Sequence, residues 1–284
     1  MKINRLFLLL FFFLTTNYSY SFNIKILWWN VHDFFDTTDD PEKDDKIYSN
    51  EEYNNKLFNI SNQLKKIDAD IIGLGEIENI NVLKNLAINS GYQYYYLIEG
   101  NDTRGIDIAL LSRYKLEAYI SNRNRYTPYD ENPKYKFSRD ATVGIVKIND
   151  IRLYIITTHL KAGFQENNKN EKKKIAQVFG LLDIIYEIYK KESNPYIILM
   201  GDFNSHRYSE PMNILEKSGL IIINYFYNEN ITYTYRKNNK KDIDYFIINK
   251  NLYNRIKGKN LTTFNNKKFA KISDHFPLLL ELKF

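Results

Sequence analysis

Short apolar runs recur along this chain, most of them closed by a polar or charged cluster. They fall at 24–29 (IKILWW), 71–74 (IIGL), 107–111 (DIALL), 142–148 (TVGIVKI), 151–157 (IRLYIIT), 196–200 (YIILM), 243–248 (IDYFII) and 276–282 (FPLLLEL). Rich in Ile, Leu, Val and Tyr and bounded by Gly, Asn, Asp or Lys, they predict β-strands. Two stretches carry the helical period instead. Over 54–67, Leu57, Ile60, Leu64 and Ile67 recur at spacings of three and four; over 172–190, Ile175, Val178, Phe179, Leu182, Ile185, Tyr186 and Tyr189 do the same behind Lys172–Lys174. Many strands with interspersed helices predict one domain of layered sheets covered by helices. Residues 121–140 and 224–240 read as long polar loops mixing Tyr with Arg or Lys, and no internal repeat or linker divides the chain.

The start of the chain differs from the rest. Lys2 and Arg5 precede an unbroken apolar block, Leu6–Leu14, and Ser19 and Ser21 flank a cleavage point before Phe22. This is the layout of a secretory signal over residues 1–21, leaving a catalytic domain at 22–284 and implying export to a periplasm or beyond. A buried N-terminal strand or an uncleaved anchor is the other reading. No later stretch is long and apolar enough to cross a bilayer, so no stable membrane insertion is expected once the signal is gone.

Composition narrows the chemistry. At 284 residues with 44% hydrophobic content, the chain can bury a sizeable core without cross-links. With no Cys, disulfides, thiolate catalysis and Cys-based zinc sites are excluded. The net charge of +6, or +4 without Lys2 and Arg5, is a modest basic excess compatible with a polyanionic substrate. The chain is expected to act as a monomer.

Chemistry-bearing residues stand at the ends of the apolar runs: Asn30, Glu76, His159, Asp202 with Asn204 just beyond, Asp244, and Asp274–His275. Strand ends open onto the rim of a layered fold, so these groups can meet at one edge. Each has an ordinary explanation by itself, because an Asp after a strand is usually a loop starter and a lone His is usually structural; His32 and His206 fit that explanation. The joint pattern points elsewhere. Carboxylates for a hard divalent cation, with imidazoles for proton work, suit attack of water on a phosphate ester.

These residues also lie in motifs that resemble one family. Trp29-Asn30-Val31, Gly73-Leu74-Gly75-Glu76-Ile77, Thr158-His159-Leu160-Lys161, Gly201-Asp202-Phe203-Asn204, Ile243-Asp244-Tyr245 and Ser273-Asp274-His275 follow the order seen in the endonuclease/exonuclease/phosphatase superfamily. Residues 29–41 and 102–113 (DTRGIDIALLSR) are similar to its bacterial secreted nuclease-like branch, with its NVENLFD and RGIDVALL signatures. The resemblance implies an α/β/β/α sandwich with two central, mostly antiparallel sheets. It implies Mg²⁺ as cofactor, with Mn²⁺ and Ca²⁺ as other possibilities, held by Glu76 with Asn30 and Asp274. It gives Asp202 and Asn204 the attacking water, His275 the phosphate with Asp244 orienting it, and His159 the developing charge or leaving oxygen.

Arg104 and Arg139 are candidates for gripping phosphate, Arg139 reading equally well as a solvated surface charge. The chain departs from the family at Gly75 (often Gln), Asp242 (often Arg) and Asp33 (Asn in the bacterial branch). The acidic group Asp36, Asp39, Asp40, Asp44 and Asp45 reads as a solvated loop rather than a structural Ca²⁺ site. The leading expectation is a secreted nuclease acting on DNA, with RNA as a second substrate, and with Tyr126, Tyr129, Tyr135, Arg123, Arg125, Tyr233, Tyr235 and Arg236 tracking the backbone and stacking bases. Alternatives within the family are a sphingomyelin or phospholipid phosphodiesterase and an inositol-phosphate phosphatase. A non-catalytic binding protein on a retired scaffold is the reading from another class.

Overall fold

A computed structural model describes residues 21–127, 135–163, 169–237 and 241–284. The segment read as an export signal lies, Ser21 apart, outside the described residues, as does Tyr129. In chain order the first half comprises β1 (Asn23–Phe34), α1 (Asn50–Ile67), β2 (Ile71–Ile77), α2 (Ile80–Ser90), β3 (Tyr94–Leu97), β4 (Asp107–Ser112) and β5 (Leu116–Ile120). A small hairpin follows, β6 (Tyr126–Thr127) and β7 (Tyr135–Lys136), then β8 (Ala141–Ile148), β9 (Ile151–His159), α3 (Lys169–Lys191) and β10 (Tyr196–Asp202). The remainder is α4 (Glu210–Lys217), β11 (Ile221–Ile222), α5 (Glu229–Thr232), β12 (Asp244–Ile248), α6 (Lys250–Arg255), β13 (Gly258–Thr263) and β14 (Leu278–Lys283).

Two six-stranded sheets result, ordered β13-β14-β1-β2-β4-β3 and β11-β12-β10-β9-β8-β5. Each contains one parallel pair, β1 with β2 and β9 with β10, and is otherwise antiparallel. The period of two along each strand sorts side chains between layers. Ile24, Ile26 and Trp28 of β1 meet Ile198 and Met200 of β10 in a core between the sheets. The alternate residues Leu27, Trp29 and Val31 pack with Ile60 and Leu64 of α1 and Val82 and Leu86 of α2. On the other side, Ile197 and Leu199 pack against Val178 and Leu181 of α3 and Met212 of α4. The layers are therefore α/β/β/α, as the motifs implied.

The expected helices form, each longer than its apolar stripe. Ser49 caps α1 with a reciprocal capping box to Glu52, which starts the helix before its first core residue. In α3 the buried face is Ile175, Val178, Leu181, Ile185 and Ile188, whereas Phe179, Tyr186 and Tyr189, expected inside, are exposed. Within the 121–140 stretch, Phe137, Arg139 and Asp140 are buried, against the expectation of an open polar loop. In the acidic loop after β1, Asp36, Asp40 and Asp45 accept the backbone N–H groups of Thr38, Glu42 and Asp40, so these carboxylates shape the loop itself.

One buried acid beyond the catalytic edge has a measurable consequence. Asp107 opens β4, is 2% exposed, and accepts the Gly100 N–H at 2.7 Å. Burial first, then the facing Glu99 carboxylate, pushes its acid up to about 9. The folded chain thus keeps a proton that the unfolded chain releases near pH 4, so stability is fully present below about pH 4 and is lost as pH rises towards 9. In Asp107→Asn the amide oxygen can still accept from Gly100 while its NH₂ donates to Glu99. That variant should melt roughly 3–6 °C above wild type at pH 8.5 and lose this advantage at pH 4. Melting curves with the same pH dependence for both proteins would show that Asp107 is ionised when folded.

Candidate active site

The two sheets place their catalytic strand ends at one edge. In the second sheet, His159, Asp202 and Asp244 are register partners at one level, ending β9, ending β10 and starting β12. In the first, β1 and β2 run parallel and deliver Asn30 and Glu76, while antiparallel β14 starts just after His275. Both strands of the first sheet are irregular here. The register shifts between Asn30 and Phe34 and between Gly75 and Ile77, and His32, Asp33 and Glu76 adopt φ of 59°, 48° and 66°. Left-handed backbone at non-glycine residues costs on the order of 1 kcal/mol each and concentrates where function requires it. The bulges bring Glu76 to 4.0 Å from His159 of the opposite sheet and turn His32 towards Glu76 and Asp274.

Hydrogen bonds lock the constellation. Asn30 Nδ2 donates to Glu76 Oε1 (3.1 Å) and Asp202 Oδ2 (3.2 Å), bridging the sheets. Asp244 is fully buried; its Oδ1 accepts the Trp28 indole N–H at 2.7 Å and its Oδ2 lies 2.8 Å from His275 Nδ1. Ser273 Oγ donates to the Asn30 carbonyl and accepts the His275 N–H, which fixes the Ser-Asp-His turn against β1. Asn204 N donates to Asp202 Oδ1, and its side chain donates to the Leu160 carbonyl. Lys174, 2% exposed on α3, donates to the Asn204 carbonyl. The Lys172–Lys174 run thus contains one cation that steadies the catalytic loop.

Electrostatics follow from this packing. Burial pushes Asp202 and Glu76 upward, but His159 and His275 outweigh it, holding Asp202 far below the usual carboxylate range and Glu76 at about 2. For His275, burial favours the neutral ring, yet the carboxylates of Asp244 and Asp202 raise it to about 10. It is therefore an imidazolium at neutral pH. His159 Nε2 lies 3.2 Å from Asp202 Oδ2.

These groups surround an open cavity of about 230 Å³. Glu76, His159, Asp202, Asn204, Asp274 and His275 face it, while Asn30 and Asp244 stand behind and act through their neighbours. Both candidate arginines line the wall, and both pair with Asp102: Arg139 Nε at 2.8 Å and Arg104 Nε at 3.2 Å. Arg139 is 5% exposed, so its reading as a solvated surface charge is overturned; Asp102 from a distant loop draws it in.

Sequence reasoning also missed residues. His32, read as structural, lies in the cavity with Nδ1 3.4 Å from Asp274 Oδ1. The β1 bulge, not strand alternation, sets its side chain, so no periodic signal marked it. Asp33 lines the cavity too, and Lys56 of α1 donates to the His32 carbonyl. Burial holds the Lys56 amine down at about 8. Tyr235 reaches the cavity with its ring 5.0 Å from the His275 ring. Other candidate substrate contacts are engaged elsewhere. Arg125 pairs bidentately with Glu187, Arg123 donates to the Glu99 carbonyl, and Tyr233 packs on Phe276. Asp242, standing where the family often has Arg, pairs instead with Arg207.

Residues 25–220 match the model of the Endonuclease/Exonuclease/phosphatase family. The chain belongs to that family. Its members form a superfamily of metal-dependent phosphodiesterases, nucleases and phosphatases, and the chain shares that hydrolytic, phosphoester-cleaving class. No curated protein matches it. Solved structures share the fold. The human nocturnin catalytic domain with a bound sulfate anion is 18% identical, with a TM-score of 0.65 over 92% of this chain and 94% of that one. A family protein from Leptotrichia buccalis is 20% identical, with a TM-score of 0.63 over 92% and 100%. Truncated TDP2 of Caenorhabditis elegans is 12% identical, with a TM-score of 0.62 over 92% and 98%.

The family's divalent cation fits the residues present. Glu76 and Asp274 supply hard carboxylate oxygens, and Asn30, expected as a ligand, instead orients Glu76 through Nδ2 while its Oδ1 accepts the His32 N–H. Asp274 Oδ2 pairs with Lys237 at 2.8 Å, while its Oδ1 is buried without a hydrogen-bond partner among the described residues, as an oxygen kept for an ion would be.

Proposed function

We propose that this protein is an exported nuclease that hydrolyses phosphodiester bonds in DNA, and secondarily RNA, with Mg²⁺ or Mn²⁺. The export reading rests on the basic, apolar and small-residue layout of residues 1–21. The observation that carries the substrate reading is the cavity wall, where Asp102 holds Arg104 and Arg139 side by side and Tyr235 lies against His275. Paired guanidiniums suit phosphate oxygens, and an aromatic beside them offers a surface on which a base can stack.

Glu76 and Asp274 would hold the cation, with Asn30 orienting Glu76; when bound, the cation neutralises phosphate charge and polarises a phosphate oxygen. Asp202, ionised at every working pH, accepts a hydrogen bond from the attacking water and aligns it, with Asn204 beside it. The His275 imidazolium, fixed by Asp244, donates from Nε2 to a phosphate oxygen and stabilises charge gathered in the transition state. His159 stands across Asp202 to stabilise or protonate the departing oxygen. Arg104 and Arg139 bind the flanking phosphate.

Purified protein given plasmid DNA, RNA, sphingomyelin vesicles and a phosphomonoester should cleave DNA fastest, in Mg²⁺ or Mn²⁺ but not in EDTA. Cleavage of sphingomyelin with intact nucleic acid would assign the site to lipid instead. Undiminished rates in EDTA would overturn the metal requirement.

A further inference from the structure

We propose that His32 is a nitrogen ligand of the cation held by Glu76 and Asp274, and that it biases the site towards transition-metal ions over Mg²⁺. This rests on the reading that Glu76 and Asp274 bind the cation.

The geometry places the imidazole between the two carboxylates. His32 Nδ1 is 3.4 Å from Asp274 Oδ1 and 3.7 Å from Glu76 Oε2. Adjacent ligands of one ion, each about 2.1 Å from it, lie about 3 Å apart, close to both His32 separations, and ligand atoms of His32, Glu76 and the neighbouring Asp33 already lie within 4.8 Å of one another. One facing atom is otherwise unused, since Asp274 Oδ1 accepts no hydrogen bond among the described residues. The other, Glu76 Oε2, accepts only the Asp33 N–H at 2.8 Å, leaving lone-pair capacity.

The His32 backbone is also pinned. Its N–H donates to Asn30 Oδ1 at 3.0 Å, its carbonyl accepts from Lys56, and its φ of 59° lies in the left-handed region. A residue that merely closed the bulge would be better as Gly or Asn. Histidine here adds the one donor type that the remaining ligands lack.

That donor changes selectivity. Mg²⁺ favours carboxylate, carbonyl and water, whereas an imidazole raises affinity along the series from Mn²⁺ to Co²⁺ and Ni²⁺. A plain ion pair between a protonated His32 and two carboxylates would have the opposite consequence, because the bound cation would displace the ring.

The test uses the metals alone, without substrate. Binding of Mg²⁺, Mn²⁺ and Co²⁺ is measured by calorimetry for wild type, His32→Asn and Glu76→Gln. Asn tolerates the left-handed backbone and substitutes an oxygen donor, and circular dichroism verifies its fold. In His32→Asn the preference for Co²⁺ over Mg²⁺ should fall by about tenfold or more. Pulsed EPR of the Mn²⁺-loaded wild type should show an imidazole ¹⁴N coupling that is absent from His32→Asn and retained in His275→Gln. An unchanged metal preference, or a ¹⁴N coupling that persists in His32→Asn, would overturn this inference and leave the cation site standing. Metal binding that is absent, or indifferent to Glu76→Gln, would overturn the site reading and the inference with it.

Discussion

His275→Ala should lower kcat/KM on DNA by about 10³–10⁴-fold while leaving the melting temperature within a few degrees of wild type. The ring is 6% exposed and faces the cavity, so its loss opens space that water can enter. In the proposed mechanism its contribution to rate exceeds its packing, because there it presents a fixed positive charge to the phosphate. Asp244→Asn separates orientation from contact. Asp244 touches no substrate in this reading, yet its carboxylate is the leading cause of the elevated His275 value near 10. Without that carboxylate, His275 should lose its proton at lower pH, so the variant's activity should fall as pH rises through neutrality while wild type holds. An NMR titration of the His275 ring reads the same shift directly. Equal pH profiles for the two proteins would show that Asp244 only packs. His206→Ala, outside the cavity, is the control and should retain its rate.

Gly201→Ala should cost about 3–5 kcal/mol of stability, or prevent folding outright. A Cβ on Gly201 would stand 2.0 Å from the Thr158 carbonyl oxygen and 2.9 Å from its carbon. Those atoms belong to the main chain of the neighbouring parallel strand, which no rotamer change can move. Relief requires β9 and β10 to separate just before His159 and Asp202, so residual activity should fall further than stability alone explains. Chemical unfolding of Gly201→Ala beside Gly258→Ala checks the claim. The Gly258 Cβ would meet nothing closer than 3.8 Å, and that variant should change by less than about 1 kcal/mol. A Gly201→Ala midpoint matching wild type would refute the crowding.

The strands that carry catalytic residues were legible because their side chains are sorted by burial, which writes a period of two or an unbroken apolar run. Strands β3, β5 and β13 were not. Their residues are mostly half-exposed at or near sheet edges, so no burial pattern marks them. Helix α2 was passed over although Asn79 caps its start and Gly91 its end, signals that an apolar count does not register. At the site, residues ending regular strands could be read off in order. His32 could not, because the β1 bulge, not the alternation, decides where its side chain goes. Arg139 is settled by Asp102, which lies 37 positions earlier and carries no mark in the sequence of being its partner. Local pattern records where a strand runs; it does not record which distant charge claims a side chain.

The order of strands in the first sheet has a consequence for how the enzyme comes into being. β14 follows every other strand in the chain, yet it inserts between β13 and β1 and brings His275 to its place. A nascent polypeptide emerging N-terminus first therefore holds Glu76, His159 and Asp202 long before it holds the imidazolium between them. On the mechanism proposed above, such a polypeptide lacks the phosphate-binding imidazole until β14 is added. For the nuclease proposed above, that strand order postpones hydrolysis of the maker's own nucleic acid until β14 has joined its sheet.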